Sequence, residues 1–186
     1  MKRHPYFLSL TVLVLLNIIL LLPGCKGKED SNYTQSPPSV VTQLNPLDTE
    51  KQITTLKEIL AKDPNNLTAL IKLGNIYMDT NRFQEAIQYY SKVLEIDPQN
   101  VDVRVDMGTC FRRMGQPQRA IEEYRKAIKI KPDHLYAHRN SGVVLAFDLN
   151  KPKEAIKEFQ TYLNLNPNAK DADQIKKIIM ELKQRI

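Results

Sequence analysis

Apolar residues fall into three regimes along the chain. Phe7 to Leu22 is an almost unbroken apolar run of 16 residues, interrupted by Ser9, Thr11 and Asn17. Lys26 to Pro46, KGKEDSNYTQSPPSVVTQLNP, is polar and has no helical period. From Leu47 on, apolar residues recur three and four apart, as they do on helices that bury one side. Ile53, Leu56, Ile59 and Leu60 make one such stripe before Pro64. Ala172, Ile175, Ile179, Leu182 and Ile186 make the last, with Lys176, Lys177, Glu181, Lys183 and Arg185 on its other faces. The pattern predicts an all-α protein.

Between these end helices the pattern repeats. Pro64, Pro98, Pro132 and Pro167 are spaced 34, 34 and 35 residues apart, and Gly74, Gly108 and Gly142 are spaced 34 and 34. Ala86, Ala120 and Ala155 follow those glycines by 12, 12 and 13 residues, and Tyr90, Tyr124 and Phe159 follow the alanines by four. A fixed period of this length marks a stack of two-helix units, each burying its apolar face on the next. The glycines are expected to face the alanines where the two helices of a unit cross, with Tyr77, Phe111 and the later rings filling the flanks. The prolines end the second helices, since a residue before proline leaves helical geometry. Pro117 and Pro152 start two of them, where the missing N–H costs nothing. The third unit carries one extra residue, expected in the turn at Phe147-Asp148-Leu149-Asn150-Lys151.

The pattern Leu73-Gly74-x-x-Tyr77, then Ala86-x-x-x-Tyr90, then Pro98 resembles the tetratricopeptide repeat. The resemblance implies a right-handed α-solenoid built from a half repeat at 47–64, repeats at 67–100, 101–134 and 135–169, and a capping helix at 170–186. At 100° per residue, positions 4, 7, 8 and 11 of each first helix meet the second helix, and positions 2, 5, 9 and 12 lie roughly opposite. In this family the second set lines a concave groove that binds protein segments. Here it comprises Thr68, Ile71, Asn75 and Met78, then Asp102, Val105, Thr109 and Arg112, then Tyr136, Arg139, Val143 and Ala146. Ile71, Val105 and Val143 are the expected apolar contacts, with Met78, Thr109 and Tyr136 beside them and Asn75, Arg112 and Arg139 orienting the ligand. Some members grip acidic chaperone tails with Lys, Asn, Asn, Lys and Arg. The corresponding residues here are Ile71, Asn75, Asp106, Tyr136 and Asn140, so only Asn75 matches.

The N-terminus reads as an address. Lys2 and Arg3 precede the apolar run, and Gly24-Cys25 follow it, the order of an export signal. Sixteen residues fall short of the ~20 that span a bilayer comfortably. Leu22-Pro23-Gly24-Cys25 resembles the lipobox of bacterial lipoproteins, which implies a signal peptide at 1–24, lipid on Cys25 and a flexible tether at 25–46. Such an anchor places the chain on the outer side of the cytoplasmic membrane or the periplasmic face of the outer membrane.

Composition narrows the chemistry. Six Gly, five Phe and no Trp in 186 residues argue against a nucleotide-gripping α/β fold or a wide β-sandwich. Of the net charge of +6, Lys2 and Arg3 supply two, leaving +4 spread along the rest. That is no nucleic-acid footprint, and Glu122 and Glu123 interrupt the basic set Arg112, Arg113, Arg119, Arg125 and Lys126. No nucleotide-loop, zinc-hydrolase or nucleophile-elbow motif occurs, so no enzyme, cofactor or metal is expected. His134 and His138 lie four apart, a spacing open to a metal, but His138 holds a place where the family packs a large ring. Cys110 reads as a small core residue. The expected function is a membrane-anchored scaffold that holds a segment of an envelope protein, with self-association possible. The alternative is an accessory subunit that presents substrate or cofactor to an envelope enzyme, as in cytochrome maturation or cell-wall remodelling.

Overall fold

The computed structural model describes residues 46–186. The expected signal peptide, Cys25 and nearly all of the tether lie outside them. The described residues form eight α-helices: α1 (Pro46–Lys62), α2 (Leu67–Asp79), α3 (Phe83–Ile96), α4 (Val101–Arg113), α5 (Pro117–Ile130), α6 (Leu135–Val143), α7 (Pro152–Leu165) and α8 (Ala172–Lys183). Pro46, expected to close the tether, is instead the first residue of α1, a place where proline's fixed φ suits a helix. None of these helices is long and apolar enough to cross a membrane. Helices α2 and α3, α4 and α5, and α6 and α7 pair as hairpins, and each hairpin packs on the next, with α1 and α8 at the ends.

Each first helix starts on a side-chain cap. Asn66 and Asn100 accept the N–H of Ala69 and Val103 at 3.0 and 3.2 Å, and His134, 34 residues on, accepts that of Ala137 through Nδ1 at 3.1 Å. This satisfies one of the donors orphaned at a helix start. Each hairpin turn passes through one left-handed residue: Asn81, Gly115 and Asn150 have φ of 59°, 71° and 49°. Gly and Asn are the residues that tolerate this region.

The glycine ladder has a different partner from the one expected. A Cβ on Gly108 would lie 2.6 Å from Cε1 of Tyr124, and one on Gly142 2.6 Å from Cδ1 of Phe159, while Gly74 sits as closely under Tyr90. Rings, not the alanines, occupy the space that the glycines leave. Tyr90, Tyr124, Phe159 and the three alanines are all essentially fully buried. Each ring withdrawn from water contributes about 1.5–3 kcal/mol.

The extra residue of the third unit also sits elsewhere. The turn at Asn150 matches those at Asn81 and Gly115, and the insertion is absorbed in α6, which ends in a π-helical turn, Val144–Asp148. Widening one turn keeps Leu145 in the core, 2% exposed, while still adding a residue. In α8, Ile178 is buried and Ile186, expected on the apolar stripe, is 57% exposed, because the helix stops at Lys183.

A basic side chain at the fourth residue of the first helix ties neighbouring units together twice. Arg104 donates through Nη1 to Glu123 Oε2 at 2.8 Å and through Nη2 to the Pro98 carbonyl at 2.9 Å. His138 places Nδ1 2.7 Å from Glu158 Oε2 and Nε2 2.8 Å from the Pro132 carbonyl. In the first repeat Leu70 and Tyr89 stand at these places, so the polar tie is not repeated there.

Ser141 stands where Leu73 and Met107 stand in the other first helices. It is 1% exposed, and its Oγ has no hydrogen-bond partner. A buried hydroxyl left unpaired costs about 1–3 kcal/mol. Ser141→Ala is therefore expected to raise the thermal midpoint followed by circular dichroism; an unchanged or lower midpoint would show the hydroxyl to be satisfied.

Candidate functional site

The groove face divides once the hairpins are stacked. Val105 and Val143 are each 4% exposed, and Ala146 is buried too. They pack inside the stack, which corrects the expectation that Val105 and Val143 meet a ligand. A helix in an array touches neighbours on two sides, and a valine on its opposite face is close enough to the next hairpin to be covered by it. Ile71 and Met78 are half-buried, and Tyr136 is 43% exposed. These three are the apolar groups the face still presents.

The polar residues of the face are largely occupied with the fold. Asn75 accepts the Tyr90 hydroxyl at 2.8 Å, and Met78 Sδ lies 3.8 Å from the same oxygen. Thr109 donates to the Val105 carbonyl at 3.1 Å, leaving its oxygen to accept the Tyr124 hydroxyl at 3.1 Å. Burial raises both tyrosine hydroxyls well above the usual phenol range, so they stay protonated and donate. Arg112 is closed on Asp148, with Nη2 3.3 Å from Oδ1, and the π-helical turn is what carries Asp148. Arg139 donates through Nε to Asp171 at 2.6 Å, where Tyr162 donates at 2.6 Å to the other oxygen. Both arginines, expected to orient a ligand, thus hold adjoining segments of the stack.

Asp106 is the residue that sequence spacing did not single out as a contact. It is half-buried on α4 and forms no hydrogen bond or ion pair with the described residues around it. Burial first, then the nearby Asp102 and Asp79 carboxylates, push its carboxyl up to about 7. Asp102 in turn accepts Nε2–H of His134 at 2.9 Å. Because Nδ1 of His134 takes a backbone N–H, Nε2 is the nitrogen that donates to Asp102. The place of Asp106 in the repeat was legible in the sequence; its lack of a base partner depends on where Arg112 and Arg139 turn.

Cys110 is fully buried, and burial, then Asp106, push its thiol up to about 12, which leaves it unreactive. Among the described residues no three His, Cys, Asp or Glu converge as a metal site. The side chains of His134 and His138 are taken up by a helix cap with Asp102 and by the Glu158–Pro132 tie.

Two tetratricopeptide-repeat family models match the chain, over residues 53–101 and 78–139. Comparison with curated protein sequences finds no match. Among solved structures, the MamA protein is similar at a TM-score of 0.64 and 24% identity, covering 74% of this chain and 78% of that one. The TPR domain of Arabidopsis OM64 is similar at 0.59 and 21%, covering 64% and 96%. The first TPR of Spaghetti (RPAP3), bound to the HSP90 peptide SRMEEVD, is similar at 0.59 and 26%, covering 65% and 96%. Hairpins on one period of 34 to 35 residues, a glycine beneath a ring in each, and these likenesses together make the described chain a solenoid of tetratricopeptide repeats.

Proposed function

We propose that this protein is a lipid-anchored interaction scaffold, tethered through Cys25 to a membrane of the cell envelope and holding a segment of a partner protein on its groove face. The observation that carries the reading is an exposed aromatic ring, Tyr136, with half-buried Ile71 and Met78, on the first-helix face of a tetratricopeptide solenoid. RPAP3, of similar fold, binds a linear peptide. Apolar groups left partly open on an otherwise hydrogen-bonded face are suited to the side chains of an extended or helical segment. The scaffold carries out no reaction of its own.

Two measurements test the two halves of the reading. Metabolic labelling with a fatty-acid probe is expected to mark the wild-type chain and not Cys25→Ser; equal labelling of both rejects the anchor. A photo-crosslinking residue at Tyr136, in the full membrane-bound chain, is expected to give a discrete adduct that Met78→Glu abolishes. The same adduct from a probe at exposed Lys129 on α5, or none at Tyr136, rejects the groove.

A further inference from the structure

The charges on the groove face point to one kind of ligand, an inference that rests on the groove reading above. Arg112 and Arg139 are neutralised by Asp148 and Asp171. Asp106 has no such partner, and the groups bearing on it from α2 and α4, Asp79 and Asp102, are acids. In the stack α4, which carries Asp106, comes between the hairpins whose first helices carry Met78 and Tyr136. On the α2 side, Met78 is half-buried with its Sδ 3.8 Å from the Tyr90 hydroxyl. On the other, Asp102 holds His134, and the His134 ring meets Tyr136 edge-on with centroids 6.5 Å apart. We propose that this face receives a linear segment carrying a lysine or arginine, the cation placed against Asp106 and apolar side chains against Met78 and Tyr136.

The selectivity is local. The whole chain is net basic at +6, so its overall field repels a cationic peptide and only the surface at Asp106 attracts one. The acidic peptide SRMEEVD that RPAP3 holds would meet like charge at Asp106. A lysine or arginine reaching Asp106 supplies the donor that this half-buried carboxylate lacks.

The test uses the full chain in neutral detergent at physiological salt, against an array of 12-residue peptides matched in apolar content and bearing lysine, glutamine or glutamate at the same places. Lysine peptides are expected to bind at least tenfold more tightly than their glutamine counterparts, and glutamate peptides more weakly still. Asp106→Asn should bring lysine peptides down to the glutamine level and Asp106→Lys should invert the order. Glu122→Lys, the same charge change at an exposed place on α5, should leave the order intact. Equal binding of the three classes, or a lysine preference that survives Asp106→Lys, overturns the proposal. If Tyr136→Ala and Met78→Glu still weaken binding in that case, the groove reading stands without its charge selection. Binding indifferent to Tyr136→Ala and Met78→Glu, or none by any class, defeats both.

Discussion

Gly108→Leu is expected to unfold the array or bring its thermal midpoint down further than any surface substitution. Even the first carbon of the new side chain would fall 2.6 Å from Cε1 and 2.9 Å from Cδ1 of Tyr124. The ring cannot step aside, because Tyr124 is 1% exposed and its hydroxyl is fixed on Thr109. Overpacking of this kind costs about 1–3 kcal/mol for extra methylenes in a close-packed site, and a leucine adds several. Hairpin α4–α5 lies in the middle of the stack, so its loss also removes the nearest-neighbour contacts of both flanking hairpins. The milder Gly108→Ala tests the cause. In a Tyr124→Leu background the ring is gone, and the alanine should cost much less than it does alone. Equal costs in the two backgrounds would place the clash elsewhere and break the glycine-over-ring account.

The fold was legible because the period wrote the same packing into the chain three times. Gly74, Gly108 and Gly142 announce a close approach whatever lies above them, and the spacing of the prolines marks where second helices stop. Which group fills the space over glycine was not legible, since Ala120 and Tyr124 lie one turn apart on the same helix face and differ only in how far they reach. The π-helical turn was equally hidden. An added residue can widen a helix or lengthen a turn, and the choice fell to the burial of Leu145 and to Asn150 keeping the left-handed corner. The groove was legible only in part. Helical angles place Val105 and Val143 on its face, but angles around one helix say nothing of how closely the next hairpin lies, and that closeness buries them. The ion pairs of Arg112 and Arg139 were hidden for a related reason: their partners Asp148 and Asp171 are 36 and 32 residues away and come near only in the stack.

Asp106→Asn is expected to stabilise the protein at alkaline pH, with the gain shrinking steadily as pH falls from 7 towards 4. The wild-type carboxyl titrates near 7 in the folded chain, against the ordinary value near 4 when unfolded. Between those values the folded state keeps a proton that the unfolded state has released, so stability falls as pH rises through that window and stays low above it. Burial beside two other acids is the cost, about 1–3 kcal/mol given that the group keeps some contact with water. An asparagine of nearly the same shape carries no charge to desolvate, and Asn140 already stands at the equivalent place in α6. Asp171 does not confuse the comparison. Burial works to raise it, but hydrogen bonds from Tyr162 and Arg139 outweigh that and hold it below the usual carboxylate range, so its contribution is lost only under more acid conditions. Thermal midpoints of wild type and Asp106→Asn, taken from pH 5 to pH 8.5, should diverge as pH rises, with the variant higher by several degrees at the alkaline end. A constant gap would show that Asp106 is ionised and solvated throughout. Adding a saturating lysine peptide from the array should narrow the gap from the wild-type side, because a cation against Asp106 offsets the buried charge that the variant lacks.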